Sequence, residues 1–251
     1  MFVMSAVRGE AVPAPPWRKQ RKASAVRQQL SLDVIVDTAL RVLDAEGLAS
    51  VTMRRVADEL NTGPASLYAY VSNKEELLDL VYDQVLGEIE VHEPDPKRWR
   101  EQLRELYIST LTVLERHADI ALVGLANLPT GPNALRVGEA YLATMLAGGV
   151  PPQTAAWGMD CIGLYTVANA YERSLYLLRQ KRSGKAADTF FTEYFGQMRE
   201  YYESLPASRF PSMHKHLEEM FTGGEQERFL FGLDLMIDGL AGSAGRPSRR
   251  R

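Results

Sequence analysis

The sequence predicts an all-α protein in two parts: a small N-terminal domain built on three helices, then a larger helical bundle. Three observations predict it. Apolar residues recur at i, i+3, i+4 and i+7 in run after run between Ser31 and Leu240. Helix caps and breakers stand between those runs. No stretch longer than a few residues alternates as a half-buried strand does, and there is no internal repeat.

Taken in order, Ser31 is a candidate N-cap, and Ile35, Val36, Ala39, Leu40 and Leu43 form an apolar stripe opposite Asp33, Asp37, Arg41 and Asp44. Gly47 ends this first helix. Thr52 caps a second, whose Met53, Val56, Ala57 and Leu60 share one face. Asn61 tolerates the left-handed conformation of a tight turn, and Pro64 suits the first turn of a third helix that ends near Val71. Ser72 and Glu75 have the spacing of a capping box, opening a longer fourth helix with Leu77, Leu78, Val81, Val85 and Ile89 on its apolar face. "EPDP" at 93–96 breaks the chain and marks a domain boundary, which the fourth helix bridges. Beyond it the pattern predicts helices over about 97–117, from the "LPTGPN" loop (128–133) to about Ala147, over about 152–182, about 186–204 and about 225–241. The long helix after Pro152 places Leu164, Val167, Ala168, Tyr171, Leu175 and Leu178 on one face; the last places Phe229, Leu230, Leu233, Ile237 and Leu240. The expected division is a flexible basic arm at 1–30, a first domain at 31–92, a second at 93–242 and a basic tail at 243–251.

With 251 residues, 45% hydrophobic and 24% charged, the chain holds enough apolar material for a substantial core. A single cysteine, Cys161, excludes an intramolecular disulfide and argues against a cysteine zinc site, as expected in a reducing compartment. "MFVMSAVRGEAVPAPP" lacks the basic start and apolar run of a signal peptide, and "IALVGLANLP" is about half the length needed to cross a bilayer. A cytoplasmic protein with no membrane partner is expected. The net charge of −3 conceals an asymmetry: Arg8, Arg18, Lys19, Arg21, Lys22 and Arg27 face Glu10 alone in the arm, and Arg246, Arg249, Arg250 and Arg251 crowd the tail. Basic ends around an acidic middle suit contact with a polyanion; on charge alone, a solvated disordered tail fits equally.

The stretch "NTGPASLYAYVSNKEELL" points to the function class. Helices two and three are each too short to persist alone in water and are joined by the polar turn "LNTGP". That is the helix-turn-helix arrangement, whose second helix lies in the major groove of DNA. In this register Leu67 and Val71 face inward, leaving Pro64, Ala65, Ser66, Tyr68, Ala69 and Tyr70 outward. Small residues permit close approach to base edges, the Ser66 hydroxyl can donate or accept, and tyrosine hydroxyls can bond phosphate oxygens. Lys74 stands just inside helix four, where the helix dipole disfavours a cation; a phosphate there would be held by Lys74 and free backbone N–H groups together. Thr52 and Arg54 begin helix two beside the flanking backbone. In a plainer reading the tyrosines are half-buried packing and Lys74 is a solvated charge.

"VTMRRVADELNTGPASLYAYVSNKEELL" resembles the DNA-binding signature of the TetR family of bacterial transcription regulators, over about residues 31–90. The resemblance implies a homodimer, an N-terminal domain that binds a double-stranded DNA operator, and a C-terminal helical domain that binds a small effector and dimerises. The family's DNA-contact positions fall on Thr52, Arg54, Pro64, Ala65, Ser66, Tyr68, Ala69, Tyr70 and Lys74. There are two departures. Asn61 stands where the turn usually has Gly, and Ala69 where a large or basic residue is usual, which alters base readout there. "WREQLRELY", "GPNAL" and "YTVANAYERS" resemble the tetracycline-repressor branch in the C-terminal half. In tetracycline binders a His and a Thr in a loop and a Glu in the long helix serve the drug-bound metal. Here the loop stretch "DIALVGLAN" supplies neither His nor Thr, leaving Glu172 alone, and one oxygen ligand does not make a divalent-metal site. No metal, no cofactor and no magnesium–tetracycline effector is expected.

An effector pocket should be mostly apolar with a few placed polar groups. Candidates are Trp99, Leu103, Tyr107, His117, Asn127, Trp157, Cys161, Tyr165, Asn169 and Glu172, led by Asn169 and Glu172, three apart in an apolar helix. Trp157, Cys161 and Tyr165, four apart, read equally as core, and His117 at a helix C-terminus as structural. The long helix, with its small residues Gly163, Ala168 and Ala170, and the last helix are expected to dimerise as a four-helix bundle. The rivals are an all-helical enzyme and a protein-binding adaptor. Against an enzyme, there is no metal motif, no catalytic carboxylate pair and no glycine-rich phosphate loop, and His92, His117, His214 and His216 are scattered. The sequence thus predicts a ligand-responsive transcriptional regulator, a repressor released from its operator by a small effector, and not an enzyme.

Overall fold

Ser31 opens the first helix as expected: its hydroxyl accepts the Val34 amide at 3.2 Å, and α1 runs Leu32–Glu46. The structure is a computed structural model and describes residues 30–126 and 130–244. The basic arm up to residue 29, Asn127 and the tail from residue 245 lie outside the described residues. Twelve α-helices and one 3-10 turn, with no strand, make up the regular structure among the described residues. This is the predicted all-α fold.

Gly47, at φ 86°, stops α1 in a conformation that any side chain would strain. The 3-10 turn Leu48–Ser50 leads to α2 (Met53–Glu59), capped by the Thr52 hydroxyl, which accepts the Arg55 amide at 3.0 Å. Asn61 takes the left-handed turn at φ 51°, and Pro64 starts α3 (Pro64–Leu67) behind Gly63. Two expectations are corrected here. Regular α-helix ends at Leu67 instead of near Val71, and the chain finishes the curl in tight turns, the Tyr70 and Val71 amides both donating to the Leu67 carbonyl (2.9 and 3.0 Å). The cap of α4 (Lys74–Leu86) is Asn73, not Ser72: its side chain accepts the Glu76 amide at 2.7 Å, while the Glu76 carboxylate accepts the Ser72 amide at 2.7 Å. Ser and Asn cap about equally well; the register that buries Leu77 and Val81 completely selects Asn73.

In the N-terminal part, Ile35, Ala39, Leu43, Val56, Ala57, Leu67, Val71 and Leu77 are all fully buried. α4 packs on α1 on one side and on the helices of the second part on the other, so it bridges the two.

Those helices are α5 (Trp99–Arg116), α6 (Ala121–Ala126), α7 (Pro132–Ala147), α8 (Pro152–Ser183), α9 (Ala187–Glu203), α10 (Pro211–Lys215), α11 (Leu217–Phe221) and α12 (Glu225–Ala241). α6 replaces the loop expected at "DIALVGLAN"; too short to persist alone, it is held against α4 and α8. α10 and α11 likewise fall where no helix was predicted.

α5, α7, α8 and α12 form the bundle. α8 turns a face of small and medium residues to it: Ala155, Gly158, Ile162, Thr166 and Ala170 are buried. The larger apolar face read from the sequence is not the buried one, since Leu164 is 50% exposed and Leu178 42%. The reason is close approach: a Cβ on Gly158 would meet the Leu240 side chain of α12 at 2.6 Å. The small face lets the two helices touch, and the larger apolar residues are left outside.

Candidate nucleic-acid interface and ligand cavity

The short helix α3 owes its position to two buried residues four apart. Leu67 and Val71 are fully buried, which turns Pro64, Ala65, Ser66, Tyr68 and Ala69 to solvent. Tyr68 is 44% exposed. The Ser66 hydroxyl oxygen accepts from the Thr62 hydroxyl at 3.2 Å, leaving the Ser66 hydrogen to donate outward. Thr52 is exposed, and the Arg54 side chain stands 86% exposed, 3.8 Å from Asp58. Lys74 is half-buried at the first position of α4, ahead of Glu75 and Glu76. Eight of the nine predicted DNA-contact residues are thus exposed or half-exposed, at the start of α2, on or just after α3, and at the start of α4. Tyr70 departs from expectation: its ring packs against the core and its hydroxyl donates to the Leu30 carbonyl at 2.6 Å. It ties the end of α3 to the start of the described chain instead of facing outward.

The second part holds a cavity of about 690 Å³, within the range of small-molecule sites. Ile108, Leu111, Thr112 and Glu115 of α5 form one wall and Asn169, Glu172, Arg173 and Tyr176 of α8 another. Phe195, Met198 and Tyr202 of α9, Met220 and Phe221 of α11, and Phe229 and Leu230 of α12 close it. The polar members are organised. Arg173 pairs with Glu225 at 2.6 Å and with Glu115 at 3.6 Å. Burial raises the Glu115 carboxyl above its usual range, and Arg173 opposes the shift. Arg228 donates to the Met220 and Thr222 carbonyls (2.6 and 3.2 Å) and holds the connection over the cavity. The Asn169 amide donates to the Tyr165 carbonyl at 2.7 Å, so its oxygen remains to accept.

Of the predicted effector residues among those described, only Asn169 and Glu172 line this cavity. Trp99 and Leu103 are core. Tyr107 is fully buried and stacked on Tyr141 with ring centroids 4.1 Å apart, and the Tyr141 and Thr110 hydroxyls share a hydrogen bond. Tyr165 stacks on Phe229 and reaches the Arg228 and Phe229 carbonyls. Trp157 is 67% exposed and Cys161 is exposed, so the core reading of those two is corrected. His117 is buried between Asp44 and Glu88, away from the cavity. The sequence reading missed the aromatic side of α9, where Phe191, Tyr194 and Phe195 gather around Tyr176 and Phe190 packs on Phe191 and Tyr194. The signal was there: "FFTEYFGQMREYY" holds more aromatics than a two-sided surface helix needs, and no α9 residue is buried.

Residues 35–81 match the family described as "Bacterial regulatory proteins, tetR family", and residues 93–243 match "Tetracyclin repressor-like, C-terminal domain". The chain belongs to the TetR family. It is 32% identical over 226 residues to the HTH-type transcriptional repressor DrrR1 of Streptomyces coeruleorubidus, spanning 89% of this chain and 82% of that protein. The solved structure of apo ActR from Streptomyces coelicolor, a TetR-family protein, superposes with a TM-score of 0.75 at 39% identity, over 86% of this chain and 99% of that one. ActR in complex with actinorhodin superposes at 0.78, with 38% identity, over 88% and 100%. Tetracycline repressor class G of Vibrio anguillarum is 27% identical, over 84% and 93%. As a TetR-family protein, the chain is a ligand-responsive DNA-binding transcriptional regulator. No helix among the described residues is long and apolar enough to cross a membrane.

Proposed function

We propose that the protein is a homodimeric repressor that binds a palindromic operator through α3 and is released when an aromatic small molecule enters the cavity. The observation that carries this is the outward face of α3, where Ala65, Ser66, Tyr68 and Ala69 stand clear of the core with Lys74 at the next helix start. Two such faces, one DNA turn apart, match two half-sites. The phosphate-contacting residues are Thr52, Arg54, Tyr68 and Lys74, and the cations of the basic arm add to the charge available for a polyanion.

Dimerisation is supported by the apolar face left on α8 and α12, where Trp157, Leu164, Phe231 and Leu235 are 67%, 50%, 68% and 58% exposed. Burying each against a second copy contributes about 1.5–3 kcal/mol. An aromatic effector is supported by the rings of Tyr176, Phe195, Tyr202, Phe221 and Phe229 around the cavity. It is supported too by the kinship with ActR, which was solved with actinorhodin. Asn169 and the Glu115–Arg173–Glu225 set would orient the ligand's polar groups. Effector binding then shifts the balance between two spacings of the recognition helices.

The test is a gel-shift titration against the DNA flanking the protein's own gene, at rising salt. A discrete, sequence-dependent complex whose affinity falls steeply with salt is expected. Weak binding, equal for any duplex, would leave an adaptor or an enzyme as the better reading.

A further inference from the structure

We propose that His117 is a positioning residue that, as an imidazolium, latches the DNA-binding helices to the cavity-bearing domain. It is buried just beyond α5, and both ring nitrogens are engaged: Nδ1 lies 3.0 and 3.2 Å from the two Asp44 carboxylate oxygens, and Nε2 lies 3.0 Å from Glu88 Oε1. An ionised carboxylate only accepts. Each contact therefore needs a hydrogen on its own nitrogen, and both together need the cation. Asp44 is in α1, and Glu88 follows α4.

The neighbours of His117 reinforce the joint. Arg116 pairs with the second oxygen of Glu88 at 2.9 Å, and Asp119 accepts the Leu48 amide at 2.6 Å. Between His117 and Asp119, Ala118 sits at φ 41°, a conformation that a non-glycine residue keeps only when its surroundings impose it. From α7, Arg136 donates to the Leu86 and Gly87 carbonyls beside Glu88. The charged groups around the imidazole are thus Asp44 and Glu88 directly, with Arg116, Asp119 and Arg136 behind them.

The same corner reaches the cavity. Glu115, one residue before Arg116, lines it and pairs with Arg173. Residues 115 to 117, spanning the end of α5 and its cap, therefore run from the ligand wall to the DNA-binding helices. A ligand that takes Arg173 from Glu115 would move that turn, and with it the grip on Asp44 and Glu88. This consequence rests on the ligand-responsive reading above, whereas the doubly protonated ring does not.

Hydrogen exchange of the full-length protein over residues 44–50, with operator affinity measured beside it, tests the latch between about pH 5.5 and 8.5, where histidines change charge. After correction for intrinsic exchange, the segment should exchange roughly tenfold faster at the alkaline end, the loss of one charge-assisted bond. His117→Gln, which leaves the other three histidines in place, should remove that dependence. Asp44→Asn, which keeps the shape of the site, should weaken it. A pH-independent segment in the wild type, or an unchanged dependence in His117→Gln, would overturn the latch. If the exchange behaves as expected but no operator complex forms, the regulator reading fails and the latch stands.

Discussion

The outward face of α3 comes from one short run, Pro64 to Ala69, whereas the cavity takes its walls from α5, α8, α9, α11 and α12, between Ile108 and Leu230. The first surface is set locally: Gly63 and Pro64 start the helix, Leu67 and Val71 anchor it, and everything between is turned out. The second exists only because helices distant in sequence fail to fill the space between them. α9 shows this most directly. It buries none of its residues, and its aromatic rings close the cavity by packing on one another and on Tyr176. A contact surface can be fixed by the inward residues beside it. A hollow needs the whole arrangement.

The largest effects should come from the residues that hold α3, not from those it displays. Leu67→Ala should cost about 2–5 kcal/mol of stability in urea unfolding, and operator binding with it. Tyr68→Ala should stay within about 1 kcal/mol in the same assay yet weaken operator binding about tenfold. Equal stability losses for the two would break the distinction between anchor and face.

Next in size is the apolar surface of α8 and α12. Phe231→Arg should raise the dimer dissociation constant by about thirtyfold or more, as expected of an interface anchor, seen by sedimentation velocity. A dimer that ignores this change would place the interface elsewhere. Lys74→Ala should act more gently, flattening the slope of log affinity against log salt by about one. Its effect should be equal across operator variants, because a phosphate contact carries no sequence information.

On the cavity side, Tyr176→Ala should weaken binding of the fluorescent probe 1-anilinonaphthalene-8-sulfonate by about 0.5–1.5 kcal/mol, the worth of one aromatic contact. Operator affinity without ligand should not change. The smallest effect sharpens the contrast between cavity and core. Burial pushes the Tyr82 hydroxyl up to about 12, and the Tyr107 and Tyr141 hydroxyls well up too. A raised folded value means the unfolded chain loses its proton first. The stability these groups contribute is complete below the ordinary tyrosine value of 10.0 and drains away as pH rises toward 12. Absorbance at alkaline pH should show these three silent until the protein unfolds.

Much of the first domain was legible because its instructions are short-range. Ser31, Gly47, Thr52, Asn61 and Pro64 each act within a few residues, and each does what its chemistry predicts. The misreadings arose where two local options were close to equal. Ser72 and Asn73 are both good caps, and burial of Leu77 chose between them. Tyr70 reads as outward from its position in the helix, but the Leu30 carbonyl, two residues ahead of α1, accepts from its hydroxyl.

The sequence by itself determined the helical class, the main helix boundaries and the exposure of most of the α3 surface, because periodicity, capping and turn chemistry are written over spans of four to eight residues. Only the tertiary structure decided which face of α8 is buried, since that depends on Gly158 yielding to Leu240 from the far end of the chain. It alone set α6 as a helix, gathered the cavity from five elements and closed His117 between Asp44 and Glu88. Those outcomes rest on contacts across many tens of residues, where what matters is the shape of the partner surface and not the pattern of either strand of sequence alone.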